Sequence, residues 1–209
     1  MKKILGKISL LIFCVLISTV IFAQNGIEFG VKGGLNLAHQ NLAHKKQASL
    51  KIHPGIHAGI FAEYTLNNFV GIQGELLYSM MGSEEEYSWP IPDTDNLGNA
   101  KIIYKNDYVV LPIIAKLYVI KGLSLDLGPQ LGYIISAKDK INKNGETTTT
   151  NYYDIVDGKF DVAFAMGLSY KLSNRFSVSG RFNLGITEFN NGYDLKNNVA
   201  QFGIGYRLK

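Results

Sequence analysis

The sequence predicts an all-β fold: an eight-stranded antiparallel up-and-down transmembrane β-barrel with short periplasmic turns and four long extracellular loops. Three observations carry this. Period-two alternation recurs in eight segments between Gly26 and Lys209, connections alternate between short and long, and tyrosines recur at the ends of the apolar phase. Successive strand residues point to opposite faces, so each segment is a ribbon with one apolar and one polar side.

The first segment, Ile27–Leu37, sets Ile27, Phe29, Val31, Leu35 and Leu37 against Glu28, Gly30, Lys32, Gly34 and Asn36. Gly55–Tyr64 opposes Ile56, Ala58, Ile60, Ala62 and Tyr64 to His57, Gly59, Phe61 and Glu63. Val70–Met81 opposes Val70, Ile72, Leu76, Tyr78 and Met80 to Gly71, Gln73, Glu75 and Ser79. Tyr108–Ile120 is apolar on both phases apart from Lys116 and two tyrosines. Its odd-numbered residues, Val109 to Val119, are assigned to lipid.

Leu123–Ile135 is the cleanest ribbon, with Pro129 requiring a bulge or an irregular ladder position. Phe160–Lys171 and Phe176–Leu184 alternate Phe, Val, Met, Leu and Tyr with Asp, Ala, Gly, Ser, Lys, Arg and Asn. The last segment, Val199–Lys209, sets Phe202, Ile204, Tyr206 and Leu208 against Gln201, Gly203, Gly205 and Arg207.

Leu66–Asn68, Lys121–Leu123 and Leu172–Asn174 are read as tight turns. Ala38–Pro54, Gly82–Lys101, Ala137–Lys159 and Ile186–Asn198 are read as long polar loops. That asymmetry is the outer-membrane arrangement, with the long loops outside the cell. A soluble ligand-binding barrel would turn its apolar phase inward. Here the other phase is too rich in Gly, Ser and Ala to be a water-facing exterior. Tyr64, Tyr170 and Tyr206 near the short turns, and Tyr78 and Tyr133 near the long loops, form two interfacial tiers.

Residues 1–23 read as a cleaved signal peptide, with basic Lys2, Lys3 and Lys7, an apolar run and small Ala23; residues 24–209 form the barrel domain. Cleavage lowers Lys+Arg from 21 to 18 against 17 Asp+Glu. Near-neutrality excludes nucleic acid as a partner on bulk charge. The single cysteine, Cys14, leaves with the signal, so the barrel is expected to stand without disulfides.

The motifs Gly30-Val31-Lys32-Gly33-Gly34-Leu35-Asn36, Leu111-Pro112-Ile113 followed by Lys116, and Gly128-Pro129-Gln130-Leu131-Gly132-Tyr133 span much of the mature chain. Arg181-Phe182-Asn183-Leu184-Gly185-Ile186 and Phe202-Gly203-Ile204-Gly205-Tyr206 complete the set. Together these motifs resemble the PorT-like outer-membrane β-barrel family. The resemblance implies an outer-membrane barrel, and its namesake type serves protein secretion and surface attachment. Barrels of this class commonly finish on an aromatic residue, whereas this chain finishes Leu208-Lys209.

On the lumen phase lie five acids, Glu28, Glu63, Glu75, Asp126 and Asp161. Five bases share it: Lys32, Lys116, Lys171, Arg181 and Arg207. Equal numbers in a space that side chains fill suggest a mutually paired plug rather than a pore. Lys116 and Asp126 are expected as diagonal neighbours, and Glu28 and Arg207 as neighbours at the closing seam. His39, His44, His53 and His57 fit no closed zinc spacing. Asp93, Asp95 and Asn96 lack the Glu of a calcium loop, since Tyr104 stands at its twelfth position. His57 with Glu75 and Ser79 is the one arrangement that could support a hydrolase.

The function expected is therefore a non-enzymatic surface or envelope protein without metal or cofactor. Its partners are outer-membrane lipid and an envelope protein, and the barrel is expected to be monomeric. The second loop, with Glu84, Glu85, Glu86, Tyr87 and Trp89, offers a candidate binding rim at Tyr87 and Trp89. The alternatives are a small lipid or peptide hydrolase at the rim and a narrow channel.

Overall fold

In the computed structural model, residues 26–42, 51–90, 97–143, 146–151, 153, 159–187, 189–190 and 194–208 are described. The signal segment, His44, Asp93, Asp95 and Asn96 lie outside these residues. The strands are β1 (Ile27–Leu42), β2 (Lys51–Thr65), β3 (Val70–Pro90), β4 (Leu97–Ile120) and β5 (Leu123–Lys143). They continue with β6 (Glu146–Asn151), β7 (Phe160–Lys171), β8 (Phe176–Gly185), β9 (Phe189–Asn190) and β10 (Asp194–Arg207).

Eight of these form an antiparallel ring in the order β1-β2-β3-β4-β5-β7-β8-β10, closed by β1 against β10. Closure runs from Gly30 opposite Arg207 to Leu42 opposite Leu195. β6 extends the sheet from β5, and β9 adds to β10.

The short turns close as their residue types require. Asn67 Oδ1 accepts from the backbone N–H groups of Phe69 and Val70 at 2.8 and 2.9 Å. Ser173 Oγ likewise accepts from Arg175 and Phe176 at 3.2 and 3.1 Å. Between β4 and β5 the chain turns at Gly122, whose φ of 87° suits glycine.

Alternation sorts the two faces throughout. Val31, Leu35, Ile60, Ile72, Leu76, Leu111, Ile113, Leu131, Leu168, Phe182, Phe202 and Ile204 are exposed on the outside, as is the odd-numbered face of β4. Apolar exposure on this scale is stable only against lipid. Tyr64 and Tyr170 mark one end of this band and Tyr78 and Tyr133 the other.

The strands run further than alternation alone predicts, so the expected loop boundaries need correction. The loop boundaries were drawn too wide: β3, β4 and β5 reach 21, 24 and 21 residues, whereas about 9–11 cross a bilayer. Much of the second and third predicted loops is therefore sheet projecting beyond the lipid. Hairpin hydrogen bonding continues after the apolar pattern stops, because the ladder needs backbone groups only. Of the two accommodations expected for Pro129, a bulge or an irregular ladder position, the chain uses the second. The β4–β5 register is the same on either side of it, with Pro112 opposite Gln130 and Ala115 opposite Leu127, and only the ladder between is interrupted. A bulge lies further on at Ile135, since Tyr108 pairs with Ile134 and Asp107 with Ser136. It shifts the inward phase of β5 from Ile134 to Ala137, both buried.

The lumen is filled in layers. Towards the long-loop end it holds an apolar cluster of Ala38, Leu77, Met81, Tyr108, Val110, Ile134, Ala137 and Val199, with Tyr153 packed against it. Lower down, the Phe61 ring lies across Gly30 and Gly205. A Cβ at Gly30 would collide with that ring and with the Tyr206 carbonyl. Gly30→Ala is therefore expected to destabilise the barrel by about 1–3 kcal/mol, the usual cost of overpacking, read as a lower urea midpoint at unchanged slope. An unchanged midpoint would show that Phe61 does not pack there.

Candidate functional site

The lumen-facing polar residues occupy fixed, inward strand positions and meet across the barrel rather than along one wall. Glu75 of β3 is the centre of the first group. Arg181 of β8 donates to both its oxygens, Nη2 to Oε1 at 2.7 Å and Nη1 to Oε2 at 3.0 Å. Lys32 of β1 reaches Oε1 at 3.2 Å and Gln73 Nε2 donates to the same oxygen at 2.6 Å. Three strands that are not mutual neighbours in the ring are tied by one carboxylate, with a planar two-point contact that arginine alone supplies.

Glu63 of β2 organises the short-turn end. It accepts from Tyr118 Oη at 2.7 Å and pairs with Lys171 Nζ at 3.0 Å and Arg207 Nη2 at 3.3 Å. Glu28 receives the same two bases, Arg207 Nε at 2.9 Å and Lys171 at 3.3 Å. Lys116 links this group to Asp126, at 4.0 Å from Glu63 and 3.5 Å from Asp126. Asp126 also accepts from Ser124 Oγ at 2.7 Å and from the hydroxyl of Ser169. Lys116 and Asp126 stand directly opposite in register, where a diagonal relation was expected.

Of the ten lumen charges, Asp161 stands apart. It accepts from Thr187 Oγ1 at 2.9 Å and is hydrogen-bonded by Asn197 rather than joining the ion-pair groups. Glu63, Glu75, Lys116, Asp126 and Arg181 are buried. Ion pairs in such surroundings hold geometry more than they add net stability, because desolvation offsets much of their attraction.

A third group was not visible in sequence. Asn36 Nδ2 donates to the Met80 carbonyl at 2.8 Å and to Ser79 Oγ at 2.9 Å, and lies 3.3 Å from the Ile56 carbonyl. Carbonyls can only accept, which fixes the orientation of the amide. Its Oδ1 therefore accepts from Gln201 Nε2 at 3.1 Å and from His57 Nδ1 at 2.8 Å, so His57 carries its proton on Nδ1. His57 and Ser79 are both held by Asn36, not by each other, and Glu75 is engaged by Lys32 and Arg181. The nucleophile–base contact of a hydrolase is not assembled from these residues. They are also buried in the lumen rather than placed at a rim.

The remaining candidates are separated. His39 lies on β1 and His53 on β2, and among the described residues no group of three His, Cys, Asp or Glu is arranged for a metal ion. Tyr87 and Trp89 are not in a loop. They occupy strand positions in β3, opposite Ala100 and Gly98 of β4.

Alternation puts Asn36, Gln73, Ser124, Ser169 and Gln201 on the inward phase, but it does not reveal their partners, the Tyr118 contact or the apolar cap. The signal for the cap was present in β4, whose inward Tyr108, Val110 and Ile114 make it apolar on both faces.

Removing one partner of a buried pair leaves an uncompensated charge. Lys116→Met or Asp126→Leu alone is expected to cost about 3–5 kcal/mol, with the double change recovering much of it. Urea unfolding of the four proteins measures this. Additive costs would show that the two residues are uncoupled.

Residues 22–191 match the family model of the outer membrane protein beta-barrel domain. The sequence matches no curated protein. Among solved structures, the chain is similar to Ail, the attachment invasion locus protein of Yersinia pestis. The two share 17% identity and a TM-score of 0.48, over 88% of this chain and 100% of Ail. It is also similar to Neisserial surface protein A, at 12% identity and TM-score 0.45, over 88% and 100% of the respective chains. OprG of Pseudomonas aeruginosa gives 11% identity and TM-score 0.45, over 88% and 97%. With an antiparallel ring of eight strands, a lipid-facing apolar band and this family match, the chain belongs to the outer-membrane β-barrel family and is placed in the outer membrane.

Proposed function

We propose that this protein is a non-enzymatic barrel with a plugged lumen, which serves as a rigid membrane post presenting an extracellular sheet to a partner in the envelope. The observation that carries this reading is the clamp on Glu75. Lys32 and Arg181 close on one carboxylate from separate strands, and an apolar layer of Leu77, Met81, Tyr108 and Ile134 lies above it. An ion following the lumen would have to break a buried ion pair and then pass a layer that is apolar apart from Asp161 and Asn197 beside Tyr108. Both steps are costly in a low-dielectric interior.

The PorT-like motifs support the finer reading of an accessory to secretion or surface attachment. Tyr87 and Trp89, carried beyond the lipid on the β3–β4 hairpin, are the contact residues of that reading. They are aromatic, of a type that anchors protein interfaces. The predicted export signal and monomeric state belong to the same reading.

Conductance tests the plug. Purified barrel in planar bilayers is expected to give no stable unitary steps. Long-lived steps of reproducible size would overturn it and favour the narrow channel.

A further inference from the structure

Asp161 is a buried acid for which the lumen supplies no base. It is 3% exposed, and the groups that meet its carboxylate are neutral. Thr187 Oγ1 donates to Oδ1 at 2.9 Å, and Asn197 of β10 donates as well. The Asn197 amide also donates to Tyr108 Oη at 3.1 Å. The inward bases close on other acids: Lys32 and Arg181 on Glu75, Lys116 on Asp126, and Lys171 and Arg207 on Glu63. Among the described residues no base forms an ion pair with Asp161. Buried charges are ordinarily paired or bound to a metal ion.

A second observation lies one register step away. Gln130 of β5 is 1% exposed, and its Oε1 has no hydrogen-bond partner among the described residues. The ladder sets Gln130 opposite Ala163 and Gly132 opposite Asp161, so Gln130 and Asp161 are diagonal neighbours on the inward face. The other inward neighbours of Gln130 on β4, β5 and β7 are Gly, Val, Pro, Ile or Ala. Asp161 is the polar group within its reach along this wall. Diagonal positions lie close enough for long side chains to meet, or to share a ligand between them.

Small residues leave the space for that ligand. Gly132 stands opposite Asp161, Ala163 opposite Gln130 and Gly185 opposite Ala163. A Cβ at Gly132 would already stand 3.3 Å from that of Asp161. The chemistry of the two groups names the ligand. An amide carbonyl oxygen and an ionised carboxylate can only accept. A bridging water would satisfy both and leave the charge of Asp161 uncompensated, whereas a cation satisfies both and neutralises it. Oxygen donors select a hard cation. One carboxylate selects a monovalent one, since a divalent ion would leave a buried positive charge in its place. Asp161 is the second residue of β7, at the long-loop end, so the position is approached from outside the cell and lies above the Glu75 clamp.

We propose that Asp161 and Gln130 are ligands of a monovalent metal cation, of the sodium or potassium class, held in the outer half of the lumen.

The test uses the full barrel in detergent, with choline chloride replaced stepwise by sodium, potassium or calcium chloride at constant chloride. Thermal midpoints are read for the wild type, Asp161→Asn and Gln130→Leu, and heat-modifiable gel migration verifies that each is folded. Each tenfold rise in sodium or potassium is expected to raise the wild-type midpoint by about 3–6 °C once the site begins to fill. Asp161→Asn is expected to be indifferent to all three salts. In choline it is expected to melt at or above the wild type, because an uncompensated charge has been removed. Gln130→Leu keeps that charge and is expected to need about tenfold more cation for the same rise; it decides alone if Asp161→Asn does not fold. A wild-type midpoint that neither monovalent salt raises overturns the proposal, and is what a protonated Asp161 or a bridging water would give. So does a rise that Asp161→Asn retains or Gln130→Leu leaves unchanged, or calcium acting at lower concentration than sodium and potassium.

Discussion

Ring closure between β1 and β10 is the constraint on which everything else depends. In hydrocarbon each unsatisfied backbone N–H or C=O costs several kcal/mol, so an open sheet edge cannot stand there. The seam removes both edges at once, pairing Val31 with Tyr206, Leu35 with Phe202 and Leu37 with Ala200. Once the ring is closed, period two leaves no freedom. One phase of every strand meets lipid, and the other is forced into a lumen of fixed width.

That enclosure accounts for the composition of the lumen phase. Glycines at positions 30 and 205 leave room for the Phe61 ring, while charged residues find partners on strands across the ring. Arg181 and Glu75, and Arg207 and Glu63, are far apart in sequence, and closure alone brings them within hydrogen-bond distance. The paired lumen charges are thus a consequence of ring geometry. The polar phase tolerates burial because the ring supplies opposite charges at the right depth.

Where the sequence was legible, it was because lipid imposes a pattern on it. Strand phases, the inward placement of Lys116 and the tyrosine tiers follow from alternation between two solvents. Beyond the lipid that demand ends. Glu84–Tyr87 and Thr147–Thr150 carry polar residues on both phases and read as loop, yet they form hairpin strands because hydrogen bonding from the barrel continues through them. The bulge at Ile135 left no mark, since Ile134, Ile135 and Ala137 are all small or apolar. Asn36 was legible as lumen-facing but not as the residue that joins His57, Ser79 and Gln201. That role depends on which strands meet across the ring, and period two does not encode it.

Closure is tested most directly by amide–amide nuclear Overhauser contacts in the deuterated barrel in detergent. Cross-peaks linking Val31 with Tyr206 and Leu35 with Phe202 are the expected result. Their absence, or a set displaced by two residues such as Val31 with Ile204, would contradict the seam and with it the placement of every lumen residue.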